Sequence, residues 1–209
     1  MSSITIGVLA LQGAFAEHID LLNTFPNVTG REIRRTEDVA GIDGLILPGG
    51  ESTVQGKWLA ASDLGETLRD LTGRRGVPVF GTCAGFILLA DRLRKTSAGG
   101  LLSEKEGGQY RLGGMAVEIE RNYFGRQVDS FEAEMESAVL GRDPFHAVFI
   151  RAPAVHEDGV YGEDCEVLAT VRHGGRKMVV AVRQRNFLGT SFHPELTTDN
   201  RWHEYFIDM

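Results

Sequence analysis

The stretch that most constrains the fold of this chain is residues 77–89, which read VPVFGTCAGFILL. A short apolar run ends at Phe80, a Gly-Thr-Cys-Ala-Gly pentad follows, and a second apolar stretch then has the length of a helix. This order is typical of a nucleophile elbow with Cys83 as nucleophile, where side chains at Gly81 or Gly85 would clash with a neighbouring element. The helix N-terminus would favour a thiolate at Cys83, whereas a buried structural cysteine beside two loop glycines is the alternative.

The first half of the chain alternates apolar, strand-like runs with helix-like segments. Residues 4–11 and 44–47 are nearly continuous apolar runs, as expected for strands buried on both faces of a parallel sheet. A helix is predicted from about residue 14 to residue 25, a weak strand around Ile33, and one or two helices before the elbow strand. The alternation predicts an α/β fold with a mostly parallel central sheet and right-handed crossovers.

The second half of the chain has the pattern of an antiparallel extension. A strand is predicted at residues 115–120, and a hairpin turn at residues 173–176 joins two of four later strands. Residues 101–114 are rich in Gly, Glu and Lys and predict an exposed connection, while a closing helix ends the chain. No internal repeat or interdomain linker is evident, so residues 1–209 are predicted to form one domain. The four later strands are predicted at 148–151, 167–171, 178–183 and 187–192.

Three polar turns follow predicted parallel strands. Gln12 follows the first strand, the Gly49-Gly50 turn follows the strand at 44–47, and Cys83 follows the elbow strand. Ligands of open α/β sheets bind beyond the carboxyl ends of the strands. The three loops are therefore predicted to converge on one site.

A second motif, His193-Pro194-Glu195, follows the last predicted strand. Pro194 restricts its own φ angle and favours an extended His193, so that the side chains of His193 and Glu195 can lie on one side. Glu195 can then hold one imidazole nitrogen while the other faces Cys83, which is the logic of acyl-transfer triads. Taken alone, the motif also fits a strand-end histidine beside a solvated glutamate.

A third motif, Pro-Gly-Gly-Glu-Ser-Thr, occupies residues 48–53. Gly49 and Gly50 expose backbone N–H groups that, together with the N–H of Ala84, can face a developing oxyanion. Glu51 and the two hydroxyl residues after it can cap the helix that follows. The phosphate-loop pattern Gly-x-x-x-x-Gly-Lys-Ser/Thr is absent, and a plain turn between strand and helix is the alternative.

Several other polar residues are weaker candidates. Arg121 and Arg151 can each pair with a carboxylate, although most arginines are simply solvated. Cys165 is flanked by two carboxylates, which raise a thiol's pKa, so it is predicted to be unreactive. His156 lies in an acidic segment and is predicted to be an exposed loop residue. The histidines lack metal-ligand spacing, and no metal site is predicted.

Composition argues against several classes of function. The net charge of −7, without a run of Lys and Arg, argues against a nucleic-acid partner. No apolar stretch approaches the roughly 20 residues of a membrane span, and the N-terminus lacks the pattern of a signal peptide. The two cysteines, in different settings, argue against a disulfide framework, and a working thiol fits a reducing compartment. We therefore expect a cytoplasmic protein without a membrane partner.

Together these motifs resemble the class I (triad) glutamine amidotransferases over essentially the whole chain, and within them the glutaminase subunits of pyridoxal phosphate synthase. The elbow and His-Pro-Glu are shared by many amidotransferases. The segments at residues 49–53 and 121–127, Gly-Gly-Glu-Ser-Thr and Arg-Asn-Tyr-Phe-Gly-Arg-Gln, are more specific to this subunit. Phe86 departs from the family, which often has Met there. Further matching segments are 7–13, 149–153 and 193–197.

The resemblance implies a flavodoxin-like three-layer sandwich in which residues 1–209 form a single glutamine amidotransferase domain. It implies that Cys83 is the nucleophile, His193 the base and Glu195 its orienter in the hydrolysis of L-glutamine to L-glutamate and ammonia through a γ-glutamyl thioester. No metal or organic cofactor is implied. The residues implied to contact glutamine are Gly49, Gly50, Glu51, Arg121, Ile150 and Arg151.

The resemblance also implies a partner, a (β/α)-barrel subunit that assembles pyridoxal 5'-phosphate from a pentose phosphate, a triose phosphate and the ammonia. The chain ends about one helix after Glu195, so we expect no fused acceptor domain and weak activity without the synthase. In the family, partner binding can reorient the Gly49-Gly50 peptide. The alternatives are the glutaminase subunit of another amidotransferase, such as imidazole glycerol phosphate synthase, a cysteine peptidase or stress-response hydrolase, and a non-catalytic binding module.

Overall fold

The computed structural model of the protein describes residues 3–94, 109–121, 123–124, 130–173 and 175–209. Most of the predicted exposed connection at residues 101–114 lies outside the described residues. So does most of the predicted turn at residues 121–127.

The strands of this part of the chain form one large sheet and one separate ribbon. The ribbon pairs β7 (Ser130–Met135) with β8 (Phe145–Ile150). The large sheet has ten strands. They are β1 (Ile4–Leu9), β2 (Val28–Ile33), β3 (Gly44–Leu47), β4 (Val79–Thr82), β5 (Ala90–Leu93), β6 (Met115–Glu120), β9 (Ala154–Val160), β10 (Cys165–His173), β11 (Arg176–Gln184) and β12 (Phe187–Thr190).

The order of strands in the large sheet is β2-β1-β3-β4-β12-β11-β9-β6-β5, with β10 paired to β11. Pairing from β2 to β12 is parallel throughout. Beyond β12 the pairs of β11, β9, β6 and β10 are antiparallel, and only β5 returns to parallel pairing with β6. The predicted α/β class, with a mostly parallel centre and an antiparallel extension, is confirmed.

Five α-helices cover the two faces of the sheet in the described chain. Alternate residues of the buried strands belong to two apolar clusters, as strand geometry requires. Leu45 and Leu47 face the cluster that contains α2 to α4, whereas Ile46 faces the cluster that contains α1 and α5. None of these helices is long and apolar enough to cross a membrane. The helices are α1 (Phe15–Leu22), α2 (Ser52–Ala60), α3 (Asp63–Arg69), α4 (Ala84–Leu89) and α5 (Arg201–Ile207).

Several predicted bounds differ from the structure. The first helix is shorter than the predicted 14–25, because residues 23–27 turn back toward β2. His156 was predicted in an exposed loop, and this is wrong: it lies within β9, is only partly exposed, and its Nε2 is 2.9 Å from Glu120 Oε2. The strand is hard to recognise from the sequence, because the charged residues after His156 lie at its exposed positions and resemble those of a loop. The hairpin turn between β10 and β11 is confirmed, with His173 opposite Arg176.

Candidate active site

Cys83 lies between β4 and α4 in an unusual backbone conformation, with φ 47° and ψ −101°. Such a conformation costs a non-glycine residue about 1–3 kcal/mol and persists only when its surroundings enforce it. Here the Cys83 N–H donates to the Thr190 carbonyl at 2.7 Å. A Cβ on Gly81 would lie 2.6 Å from the Gly85 carbonyl carbon, and one on Gly85 only 1.9 Å from the Leu47 oxygen. Both glycines are therefore required for the close approach of β3, β4 and α4, as the sequence predicts.

His193 and Glu195 lie beyond the end of the neighbouring strand β12, in and just before a short 3-10 turn, Pro194–Leu196. The His193 Nδ1 is 2.7 Å from Glu195 Oε1, and the imidazole lines the same cavity as Cys83. The side chains of both His193 and Glu195 are almost completely buried. The structure thus brings Cys83, His193 and Glu195 together.

The charge state of His193 follows from these contacts. Burial on its own would lower its pKa, but the hydrogen bonds with Cys83 and Glu195 overcome that effect and raise the pKa to about 10. Burial would likewise raise the pKa of Glu195, yet the adjacent imidazoles of His18 and His193 lower it. The arrangement therefore favours a carboxylate at Glu195 and an imidazolium at His193.

The Gly49-Gly50 turn lies directly against the imidazole. A Cβ on Gly49 would lie 2.2 Å from His193 Cε1, so only glycine fits there. The Gly49 N–H donates to Thr82 Oγ1 at 3.0 Å, and its carbonyl accepts from the Ala14 N–H at 3.1 Å. In this conformation the Gly49 N–H already has a partner, whereas Gly50 and Ala84 line the cavity above Cys83.

The loop after β3 is held by side chains from two elements. Gln12 Oε1 accepts from the Glu51 N–H at 2.7 Å, which ties the turn after β1 to the turn after β3. Glu51 Oε1 accepts from the Thr53 N–H at 3.2 Å, so Glu51 caps α2 as the sequence predicts. Convergence of the strand-end loops is therefore observed. Gln12 lies at this convergence, as its position after β1 predicts, although the sequence assigned it no role there.

The antiparallel extension contributes the opposite wall of the cavity. Arg121 follows β6 and its Nη1 donates to Gln109 Oε1 at 2.8 Å. Ile150 ends β8, and its carbonyl lies 3.9 Å from the Cys83 sulfur. Arg151 comes next with a φ of 42° and an exposed side chain. Two guanidinium groups thus face the same space as the thiol.

The resulting cavity has a volume of about 240 Å³, below the roughly 300–1,000 Å³ of sites for drug-sized ligands and suited to a molecule of amino-acid size. Eight of the ten predicted site residues line the cavity, whereas Gly49 and Glu195 lie behind its lining. Those eight are Gly50, Glu51, Cys83, Ala84, Arg121, Ile150, Arg151 and His193. Gln12, Ser52 and Ile87 complete the lining. The sequence predicts the convergence of the Gln12 loop but gives no site role to Ser52 or Ile87.

The second thiol has a different environment. Cys165 begins β10, and burial, together with the charge of Asp164, raises its pKa. Within the described ranges, no group of three or more His, Cys, Asp or Glu side chains is arranged to hold a metal ion.

Comparison with known proteins gives consistent matches. The SNO glutamine amidotransferase family matches residues 8–209. Pyridoxal 5'-phosphate synthase subunit PdxT of Moorella thermoacetica is 50% identical over 204 residues, covering 98% of either chain. Probable pyridoxal 5'-phosphate synthase subunit PDX2 of Arabidopsis thaliana is 43% identical, over 99% of this chain and 86% of the relative. A crystal structure of a glutamine amidotransferase superimposes with a TM-score of 0.81 at 42% identity, covering 97% of both chains.

Proposed function

Because the chain belongs to the SNO glutamine amidotransferase family, we propose that the cavity beside Cys83 is where it hydrolyses L-glutamine to L-glutamate and ammonia. The chain is a glutaminase subunit of pyridoxal 5'-phosphate synthase, and its activity serves the biosynthesis of vitamin B6. The observation that carries the site assignment is that Cys83 and His193 line one cavity, while Glu195 lies behind it with its Oε1 2.7 Å from His193 Nδ1.

The triad would act as follows. His193 takes the thiol proton of Cys83, and the thiolate attacks the side-chain amide carbon of glutamine. The tetrahedral intermediate collapses as His193 gives its proton to the departing nitrogen. The nitrogen leaves as ammonia, and the acyl group stays on Cys83 as a γ-glutamyl thioester. His193 then removes a proton from water, the hydroxide attacks the thioester, and the proton returns to the leaving sulfur as glutamate departs. Glu195 holds the imidazole in the required orientation throughout.

Glutamine would be held by groups from both halves of the sheet. The guanidinium groups of Arg121 and Arg151 match the α-carboxylate. The carboxylate of Glu51 and the carbonyl of Ile150 can accept from the α-ammonium group. Gly50 supplies backbone contact without a side chain in the way.

The oxyanion would be held by the N–H of Ala84 and an N–H of the Gly49-Gly50 turn. The hydrogen bond from the Gly49 N–H to Thr82 Oγ1 supports a resting state in which the turn does not yet serve this purpose. We propose that docking of the synthase reorients this peptide and so raises glutamine turnover. Comparable turnover with and without the synthase would refute this coupling.

The partner would be the (β/α)-barrel subunit that makes pyridoxal 5'-phosphate. Free ammonia is protonated in water and lost by diffusion, so a glutaminase is useful only beside its acceptor. We propose that residues 1–209 work as a single glutamine amidotransferase domain docked on that subunit. The cytoplasm is the proposed location, because a reducing compartment keeps the Cys83 thiol free.

The test is glutamate release from L-glutamine by the wild type and by Cys83→Ala, with and without a pyridoxal 5'-phosphate synthase barrel subunit. Activity that needs Cys83 and rises on adding the barrel subunit supports both the chemistry and the partner. Activity that rises only with the barrel subunit of imidazole glycerol phosphate synthase would overturn the proposed identity of the partner. Activity that survives Cys83→Ala would overturn the site.

A further inference from the structure

The second carboxylate oxygen of Glu195 is buried and has no hydrogen bond that meets normal geometric criteria. This oxygen, Oε2, faces His18 rather than His193, and it lies 3.4 Å from the His18 Nε2. The side chains of His18 and Glu195 are both fully buried. A buried carboxylate oxygen is costly unless an N–H or a positive charge faces it, so the state of His18 matters to the triad.

His18 lies on α1 and joins three other elements. Its Nδ1 is 2.8 Å from Nε2 of His203 on α5, and its Nε2 is 3.2 Å from Oγ1 of Thr82 in β4. Thr82 Oγ1 is also the acceptor of the Gly49 N–H. One imidazole nitrogen therefore lies between the acid of the triad and the hydroxyl group that holds the Gly49-Gly50 turn.

The protonation pattern of the two histidines follows from their surroundings. Burial lowers the pKa of both His18 and His203, so each carries a single ring proton. If the His18 Nε2 lacked that proton, its lone pair would point at Glu195 Oε2. With the proton on Nε2, the His18 Nδ1 can accept from the His203 Nε2–H. This pattern leaves His203 with an unpaired lone pair rather than an unpaired N–H, and it satisfies all contacts on His18.

We propose that neutral His18 is a positioning residue of the proposed glutaminase site. It directs its Nε2–H between Glu195 Oε2 and Thr82 Oγ1, and His203 fixes its tautomer from behind. His18 does not line the cavity, so it cannot touch glutamine. It acts through Glu195, whose orientation sets that of His193, and through Thr82. This inference rests on the function proposed above for Cys83, His193 and Glu195.

Loss of the His18 N–H would leave the Glu195 carboxylate without its second support. The contact between Glu195 and His193 would weaken, the imidazolium would be less stable, and His193 would activate the Cys83 thiol less well at a given pH. Glutamine binding would not change, because the lining residues stay in place. The expected signature is a fall in kcat at constant KM, together with an upward shift in the pH dependence of thiol reactivity.

The experiment compares His18→Leu, which removes the donor at similar volume, with His18→Gln, which keeps an amide N–H. His146→Gln, at an exposed histidine outside the cavity, is the control and should change neither kcat nor the pH dependence of thiol reactivity. Steady-state turnover of glutamine is measured in the complex with the barrel subunit. The rate of Cys83 alkylation by iodoacetamide is measured against pH on the isolated chain, in a Cys165→Ala background.

We expect His18→Leu to lower kcat by roughly 10- to 100-fold, the range for losing a hydrogen bond to a charged group, with KM within about twofold. Its alkylation profile should move to higher pH, and His18→Gln should recover most of both losses. A folded His18→Leu with wild-type kcat and an unshifted profile would overturn the proposal. If His18→Leu does not fold, a folded His18→Gln that loses more than about tenfold in kcat would overturn it instead.

The two proposals fail in different ways. A wild-type complex that does not hydrolyse glutamine would end the proposed function. The alkylation profile of the isolated chain would still report whether His18 supports the contact between His193 and Cys83.

Discussion

The parallel and antiparallel halves of the large sheet contribute different kinds of groups to one cavity. Cys83, His193 and the Gly49-Gly50 turn all follow parallel strands, namely β4, β12 and β3. Arg121 follows β6 and Arg151 follows β8, both in the antiparallel half and its ribbon. The groups proposed to react thus come from one half, and the cations proposed to recognise the substrate come from the other.

Two turns, one from each half, also differ in how tightly they are packed. A Cβ added to Gly85 in the parallel half would lie 1.9 Å from a backbone oxygen. A Cβ added to Gly175, in the hairpin of the antiparallel half, would meet nothing within 4 Å. The difference teaches that the turn that carries the nucleophile is held by backbones in direct contact, whereas the hairpin, which lies away from the cavity, is not.

The largest effect is expected from the nucleophile itself. Cys83→Ala should reduce glutamine turnover in the complex by roughly 10⁴-fold or more, as loss of a covalent nucleophile does in other hydrolases. Cys165→Ala, in the antiparallel half, should leave turnover near that of the wild type. Glutamate release measures both variants, and a similar loss in both would break the comparison.

The next effect is on folding. Gly85→Ala should lower the free energy of unfolding by about 3 kcal/mol or more, or prevent folding, because the added methyl group overlaps the Leu47 carbonyl. Gly175→Ala should cost only about 1 kcal/mol, since its φ of 77° is unfavourable but the space is open. Urea denaturation followed by circular dichroism measures both. Equal losses would show that packing does not distinguish these two turns.

A smaller effect is expected on substrate binding. Arg151→Gln should raise KM for glutamine by about 10- to 100-fold, the range for a lost hydrogen bond to a charged group, and change kcat only a few-fold. Arg176→Gln, at an exposed position of β11 away from the cavity, is the control and should change neither constant. A fall in kcat without a rise in KM would place Arg151 among the reacting groups. It would contradict the proposal that the antiparallel half serves only to recognise the substrate.

The smallest effect concerns stability at acid pH, where the histidines of the two halves should act with opposite signs. The pKa values of His18 and His203 are lowered by burial, so below pH 6.5 the unfolded chain binds protons that the folded chain does not. Each such proton lowers stability by up to about 1.4 kcal/mol per pH unit as the pH falls. His203→Gln should therefore reduce the acid loss of stability between pH 6.5 and pH 5.

His146 on β8 sharpens this test. Hydrogen bonds to Glu134 and Glu132 raise its pKa, so its contribution is present below pH 6.5 and is lost as the pH rises through its folded-state value. His146→Gln should therefore make the protein less stable at acid pH, the reverse of His203→Gln. Denaturation midpoints of the two variants between pH 5 and pH 8 check the signs. The same sign for both would contradict the assigned charge states.

Much of the fold and of the cavity was predictable because it depends on short stretches of sequence. Buried parallel strands are continuous apolar runs, and the glycines at 81 and 85 mark a turn that no other residue permits. The carboxyl ends of parallel strands meet at one edge of a sheet, so the sequence alone predicts that Gln12, Gly49 and Cys83 lie close together. The strand around His156 was missed because charged residues on its outer face imitate a loop.

The support behind the triad was not predictable. His18 and His203 are separated by 185 positions, and each is a lone polar residue on an otherwise apolar helix face. Such a histidine has no local partner that spacing can reveal. The orientation of the Gly49 peptide was also beyond reach, because it depends on a hydrogen bond to Thr82 in another strand.

The backbone of Cys83 has one practical consequence. Its positive φ, its hydrogen bond to Thr190 and its place beneath the cavity all exist only in the intact fold. In an unfolded chain Cys83 would be an ordinary thiol, no more reactive than Cys165. Labelling of Cys83 by a small electrophile in excess of the labelling of Cys165 would therefore be a mark of the folded protein.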